Sequence, residues 1–257
     1  MPTPDLLGMA QALLPVASRA AKEILAIYDT PFDVEHKADD SPLTEADLTS
    51  QHVIAQALER LFPDIPQLSE EERHAPWNER RQWQRFFLVD PLDGTKEFVN
   101  RNGEFTVNIA LVQDHSPVLG VIHLPVQDIV YYGGPGLGAF CIEGNGAPRA
   151  IACAAPGPQG PVMLVSRSHP STELTDYASR HGIATMRPAG AATKFCRLAE
   201  GSAHVYPRFN LTMEWDTAAG QALLEGAGGT MTHWDGSPFL YNKQSLKNSG
   251  FIAQGGR

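Results

Sequence analysis

The segment Asp90-Pro91-Leu92-Asp93-Gly94-Thr95 sets two carboxylates three residues apart across a proline-stiffened turn. Acids so spaced can converge on one point and expose the Leu92 carbonyl beside them. Hard oxygen donors of this kind suit Mg²⁺, which keeps several waters and binds through a few carboxylates plus substrate phosphate. Gly94 lets the backbone approach a ligand closely, and Thr95 can open a helix whose free N–H groups accept phosphate. The apolar run Phe86 to Val89 just before it reads as a buried strand ending in a loop. Open α/β folds place ligands at the carboxyl ends of strands. The same six residues also fit an Asx-turn with a helix cap, and taken alone they leave both readings open.

Other acids carry the same double reading. Glu70-Glu71-Glu72 follows Ile65 to Leu68 and fits a solvated charge run as well as a ligand set. Asp47 lies three after Thr44, which fits a capping box. Asp216, beside Trp215 at the start of a helical pattern, fits a charge that favours the helix dipole. A shared site would use all of them at once. Competing chemistries fail on spacing: there is no G-x-x-x-x-G-K-S/T loop and no G-x-S-x-G elbow. No cysteine has an arginine six residues on, and no two histidines lie four apart as in a zincin helix. An aspartyl nucleophile in D-x-D-x-T fails as well, because the spacing here is D-x-x-D-x-T.

Apolar residues from Asp5 to Tyr28 recur at helical spacing, with Pro15 expected to bend that helix or delay its start. A second helix fits Thr44 to Phe62, entered after Pro42 and stopped by Pro63. Glu104 to Val112 alternates, and Val118 to Val126 and Ile129 to Tyr132 follow between turn residues, which reads as an antiparallel meander. The glycine run Gly133 to Gly138 reads as hairpin turns rather than a dinucleotide loop. The Pro/Gly-rich stretch Ala155 to Pro161 is the best linker. Beyond it come a strand at Val162 to Val165, helices near Pro170 to Arg180 and Ala191 to Glu200, a strand near His204 to Tyr206, and a helix from Trp215 to about Ala227. The first part is expected to be α+β and the second α/β.

The chain of 257 residues carries 29 acidic and 20 basic side chains, a formal charge of −9. Such a balance excludes a protein that coats a polyanion, which needs a basic surface. With 42% hydrophobic residues the composition forms a core. No apolar run approaches the ~18 residues of a membrane span, so no transmembrane segment is expected. Three cysteines without C-x-x-C spacing, and an N-terminus lacking a positive secretory n-region, lead to an expected cytoplasmic location. A peripheral position at the inner face of the cell membrane is left open.

Leu68-Ser69-Glu70-Glu71, Asp90 to Thr95 and Trp215-Asp216-Thr217-Ala218-Ala219-Gly220, in this order, resemble the motifs of the inositol monophosphatase superfamily of metal-dependent, lithium-sensitive phosphatases. The longer strings Asp90 to Phe98, Arg101 to Ala110 and Tyr206-Pro207-Arg208-Phe209 resemble its 3′(2′),5′-bisphosphate nucleotidase branch, and the similarity runs through nearly the whole chain. The resemblance implies a layered αβαβα sandwich. In it, residues 1–155 form an α+β domain with the metal and catalytic residues, and residues 156–257 an α/β domain with substrate recognition and Asp216.

The resemblance further implies two or three Mg²⁺ ions. Glu70, Asp90 and the Leu92 carbonyl would hold one, and Asp90, Asp93 and Asp216 a second. Asp47 and Thr95 would orient and deprotonate the attacking water, with Gly94 and Thr95 against the scissile phosphate and Glu70, Leu92, Asp93 and Asp216 also bordering the substrate. Ser166-Arg167-Ser168-His169, with Lys194 and Arg208, resemble the branch's nucleotide-recognition segments. One departure is Gly190-Ala191-Ala192, where relatives carry Gly-Ser-Ser, which removes any hydroxyl contact from those serines. The implied activity is hydrolysis of the 3′-phosphate of a small bis-phosphorylated nucleotide, 3′-phosphoadenosine 5′-phosphate, to AMP and phosphate. Hydrolysis of an inositol or sugar phosphate on the same scaffold is the alternative, and a non-catalytic nucleotide sensor is a third. No nucleic-acid partner is implied, and the oligomeric state is left open.

Overall fold

The computed structural model describes residues 5–36, 42–168 and 171–256. Helix α1 (Leu6–Tyr28) opens on Asp5, whose side chain accepts the Gly8 N–H, and buries Ala10, Leu13, Val16, Ala17, Ala20, Ala21 and Ile24 as one stripe. Its start is not delayed by Pro15. The proline forfeits a single backbone hydrogen bond, while the buried residues around it hold both turns against the sheet below. A two-residue pair, β1 (Glu35–His36) and β2 (Pro42–Leu43), leads into α2 (Glu45–Leu61), which Thr44 caps as expected.

Seven strands then form one sheet in chain order: β3 (Gln67–Ser69), β4 (Arg85–Asp93), β5 (Thr106–Gln113), β6 (Ser116–Leu124), β7 (Ile129–Gly134), β8 (Gly138–Glu143) and β9 (Arg149–Ile151). Only β3 and β4 are parallel, joined through the short helix α3 (Trp77–Arg80); the rest is antiparallel, with β5, β6 and β7 the expected meander and β8 and β9 extending it beyond the expected strands. β4 does not stop at Asp90. It pairs with β5 as far as Asp93, with a register shift that sets Asp90 opposite Asn108 and Asp93 opposite Thr106. Pro91 has no N–H to give the ladder, and the resulting bulge re-aims the side chains beside it. Helix α4 (Thr95–Val99) follows directly.

The segment 152–161 has no helix or strand and leads to a second sheet. Its strands are β10 (Val162–Ser166), β11 (Thr185–Ala189), β12 (Val205–Arg208), β14 (Thr230–His233) and β16 (Phe251–Gln254), in the order β11-β10-β12-β16-β14. Interspersed are α5 (Thr172–Arg180), α6 (Thr193–Ala199), α7 (Ala218–Gly226) and a small pair, β13 (Thr212–Met213) and β15 (Lys247–Asn248). Strands β11, β14 and β16 lie outside the expected set. β11 is an edge strand with Met186, Arg187 and Pro188 exposed, so it carries no apolar alternation.

The layers follow from the period-two burial of the strands. Phe87 and Val89 of β4, with Val107, Ile109, Val121 and Tyr132, pack against α1 and α2. Phe86 and Leu88, with Ala110, Ile122 and Tyr131, pack against α6 and α7, which on their other side meet Tyr206, Phe251 and Ala253 of the second sheet. Met163 and Val205 on the far face of that sheet are covered by Leu174, Tyr177 and Ala178 of α5. The order is therefore helix, sheet, helix, sheet, helix. Helix α7 lies so close to β6 that a Cβ on Gly120 would stand 2.2 Å from the Ala219 carbonyl oxygen. The small residues Ala218-Ala219-Gly220 thus belong to packing, leaving Asp216 as the acid just before the helix. Among the described residues no helix is long and apolar enough to cross a membrane.

Candidate active site

The carboxyl ends of four strands, β3, β4, β10 and β12, open on one cavity of ≈ 250 Å³ between the two sheets. β3 delivers Glu70, the bulged end of β4 delivers Asp90, Leu92 and Asp93, β10 delivers Ser166, and β12 delivers Tyr206 and Arg208. Gly94 turns the chain into α4 with φ of 91°, a conformation only glycine adopts cheaply, and Thr95 follows into the cavity wall. Asp216 enters from the turn before α7, and Lys194 from the first turn of α6.

Glu70, Asp90 and Asp216 each offer a carboxylate oxygen, and these oxygens lie within 4.8 Å of one another. Burial, reinforced by Glu70, Asp93, Asp216 and Asp47, holds the Asp90 carboxyl well above the usual carboxylate range. Asp216 is raised likewise, by burial first and by Asp93 next. Asp93 is pushed up to about 6 by burial, against the opposing pull of Lys194 and the hydrogen bond from Asn108 Nδ2 at 3.1 Å. Like charges gathered this closely without water are costly unless a cation joins them. An all-oxygen donor set of this charge fits a hard divalent ion such as Mg²⁺, and fits Zn²⁺ or copper poorly because no histidine or cysteine belongs to it.

Two sequence ambiguities resolve by sharing. The Leu92 N–H donates to Asp90 Oδ1 at 3.1 Å, so the Asx-turn exists within the acid cluster. Thr44 donates to Asp47 Oδ2 through both its N–H (2.8 Å) and its hydroxyl (2.7 Å). The other oxygen, Asp47 Oδ1, accepts the Thr95 hydroxyl at 3.1 Å. Asp47 is thus the α2 capping residue on one oxygen and the partner of Thr95 on the other. Ser50 of α2 donates to the Pro91 carbonyl at 2.7 Å, fixing the bulge against the same helix.

Two cations, Lys194 and Arg208, share the cavity lining with the acids. Lys194 is only 4% exposed, with Nζ donating to the carbonyls of Ala189 (3.1 Å) and Ala191 (2.8 Å) and lying 5.2 Å from the Tyr206 ring centre. Burial brings its ammonium down to about 8, with Asp93 opposing and Arg208 reinforcing that shift. Among the described residues the buried Arg208 Nε has no hydrogen-bond partner, and an unpaired buried donor calls for a ligand. Arg167 does not line the cavity. It forms a two-pronged pair with Glu104 (2.7 and 2.7 Å), which also accepts the Gly190 N–H at 2.8 Å. Ser168 donates to Glu97. His169 lies outside the described residues.

The pattern of the Inositol monophosphatase family matches residues 5–254 of this sequence. The chain belongs to that family. The 3′(2′),5′-bisphosphate nucleotidase CysQ of Salmonella typhimurium is 44% identical over 95% of this chain and 98% of its own, and that of Escherichia coli K12 is 43% identical over the same shares. Among solved structures, CysQ from Bacteroides thetaiotaomicron superposes with a TM-score of 0.85 at 38% identity, covering 97% of this chain and 98% of its own. The extragenic suppressor protein suhB from Bartonella henselae, at 24% identity and TM-score 0.79 over 96% of this chain and 94% of its own, shares the fold.

On this family scaffold the cavity also holds Glu97 and Tyr206, which sequence reasoning gave no role. Glu97 is 5% exposed inside a five-residue helix, too short for a periodicity to betray a buried acid. Tyr206 is raised to about 12 by burial, so its hydroxyl is a neutral donor at any ordinary pH. Ala191 lines the cavity with φ of 45°.

Proposed function

We propose that this chain is a Mg²⁺-dependent 3′(2′),5′-bisphosphate nucleotidase that hydrolyses 3′-phosphoadenosine 5′-phosphate to AMP and phosphate. The observation that carries the reading is that one cavity is lined by the Glu70–Asp90–Asp216 cluster together with Lys194 and Arg208. The acids suit metal-assisted cleavage of a phosphate, and the two cations suit a second phosphate. The 3′(2′),5′-bisphosphate nucleotidase names of relatives at 44% identity support the same substrate class.

Glu70, Asp90 and the Leu92 carbonyl would hold one Mg²⁺, and Asp90, Asp93 and Asp216 a second, with room for a third left to experiment. When bound, Mg²⁺ neutralises phosphate charge, acidifies water and stabilises the entering and leaving oxygens. The Thr95 hydroxyl gives its proton to the hydrogen bond with Asp47 Oδ1, so its oxygen lone pairs are turned to receive a proton from water. A threonine hydroxyl is a feeble base, so this pair chiefly orients the water in line with the phosphorus–oxygen bond that breaks. Gly94 and the α4 N–H groups beside Thr95 would receive the phosphoryl oxygens. Water supplies a hydroxyl to phosphorus and releases its other proton by way of the Thr95–Asp47 pair to solvent, while the departing ribose oxygen takes a proton from solvent. Phosphomonoester hydrolysis asks for a barrier reduction of ~20 kcal/mol or more, which positioning and charge neutralisation must supply together.

Arg208, Lys194 and Ser166 would read the nucleotide, along with His169. Residues 1–155 would then supply most of the chemistry, and residues 156–257 the recognition together with Asp216. We assign the protein to the cytoplasm, where the thiols of Cys141, Cys153 and Cys196, all free, stay reduced. The test is phosphate release from 3′-phosphoadenosine 5′-phosphate and from inositol 1-phosphate, each with Mg²⁺. A clear preference for the nucleotide is expected, and preference for the inositol ester overturns the assignment.

A further inference from the structure

We propose that Arg80 is a positioning residue for the metal site, holding Glu70 and Asp216 at their working separation; this rests on the Mg²⁺ reading above. The two acids come from segments distant in sequence: Glu70 from the loop that runs through α3 back to the sheet, and Asp216 from the β13–α7 turn. Arg80, at the end of α3, is 4% exposed although charged. Its guanidinium donates to Asn242 Oδ1 (3.1 Å) and to the carbonyls of Lys243 (2.7 Å) and Gln244 (2.8 Å), while Asn242 Nδ2 returns a bond to the Arg80 carbonyl (2.6 Å).

From there the network runs straight to the acid. The N–H groups of Asn242 (2.7 Å) and Lys243 (3.0 Å), and Lys243 Nζ (2.6 Å), all donate to the Glu214 carboxylate, which is fully buried two residues before Asp216. Lys243 Nζ also reaches Asn248 Oδ1 (2.9 Å), Asn248 Nδ2 donates to the Met213 carbonyl (2.7 Å), and the Met213 N–H donates to Asp216 Oδ2 (2.8 Å). Closer to Glu70, His74 bonds the Ser69 carbonyl (3.0 Å) and packs tilted against Trp215, with ring centres 5.1 Å apart. Two straps therefore join the Glu70 segment to the Asp216 segment.

Buried ionic networks add little stability over well-packed apolar residues; what they fix is geometry. Two guanidinium nitrogens meet three fixed acceptors, an array that the single ammonium of a lysine does not reproduce. Mg²⁺ demands near-ideal octahedral geometry, whereas Ca²⁺ accepts a flexible one. Loosening the strap should therefore cost Mg²⁺ more than Ca²⁺, a selectivity that a merely structural arginine would not alter.

The test is calorimetric titration of wild type, Arg80→Met and Arg80→Lys with MgCl2 and with CaCl2, with cooperative thermal unfolding recorded for each. For the folded variants the Mg²⁺ dissociation constant should rise about tenfold or more, in the range usual for residues that orient metal ligands. The Ca²⁺ constant should change several-fold less, and KM for the nucleotide at saturating Mg²⁺ should stay within twofold. Arg80→Lys keeps the charge and serves if Arg80→Met fails to fold. A folded variant that binds Mg²⁺ within twofold of wild type overturns the positioning role. Wild type that binds no Mg²⁺ instead overturns the metal reading beneath it.

Discussion

Asp93 separates charge from packing at the residue scale. It sits in the cavity wall, accepts Asn108 Nδ2, and is pushed up to about 6 by burial. Asp93→Asn keeps the shape and removes one of the crowded negative charges. Turnover should fall at least a thousandfold, while the metal-free protein should melt at the same temperature or higher, because a buried like-charge repulsion is gone. Steady-state kinetics beside a thermal melt in EDTA check both halves, and near-normal kcat would remove Asp93 from the metal set. Residue types and spacing made this acid and its partners legible, since carboxylates three apart after an apolar run have few uses. What spacing could not say was whether Asp47 capped a helix or served Thr95. The carboxylate has two oxygens, and the fold uses one for each. Arg80 and Glu97 were not legible at all, because a charged residue in a four- or five-residue helix takes its burial entirely from distant chain.

At the scale of elements, the segment after β10 is held by acids of the first half. Glu104, just before β5, ties Arg167 and the Gly190 N–H together, and so fixes the loop whose carbonyls anchor Lys194. Glu104→Gln keeps the size but weakens the charged pair, costing about 1 kcal/mol. KM for the nucleotide should rise about fivefold with the Mg²⁺ dissociation constant unchanged, and an unchanged KM would leave the pair a surface tie only. The contact between β6 and α7 is stricter. Gly120→Ala sets a methyl group 2.2 Å from the Ala219 carbonyl, so α7 must move. Overpacking of this kind costs about 1–3 kcal/mol, which at ~2–4 °C per kcal/mol lowers Tm measurably by calorimetry. The long helices and the meander were readable from periodicity because each buries one face. Strands β14 and β16 were not, since two four-residue strands late in the chain carry too few positions to show an alternation.

For the whole molecule, part of the formal charge of −9 gathers in one cavity as a cluster of acids. That gives stability a pH dependence whose sign follows from the shifts. Asp93 titrates near 6 in the folded metal-free protein and near 3.8 when unfolded, so between those values the folded chain binds more protons. Folding stability without metal must therefore be greatest below about pH 4 for this group and fall as pH rises through 6, by an amount on the order of 3 kcal/mol. Asp90 and Asp216, raised for the same reason, act in the same direction. Mg²⁺ binds the ionised carboxylates and has to displace those protons, so its affinity tightens as pH climbs. A ligand that binds only the folded state stabilises by RT ln(1 + [L]/Kd). The rise in Tm on adding a fixed excess of MgCl2 over EDTA should accordingly be small at pH 5.5 and large at pH 8. Melts at both pH values decide the matter: an equal rise at each would mean that the buried carboxylates do not take up the metal.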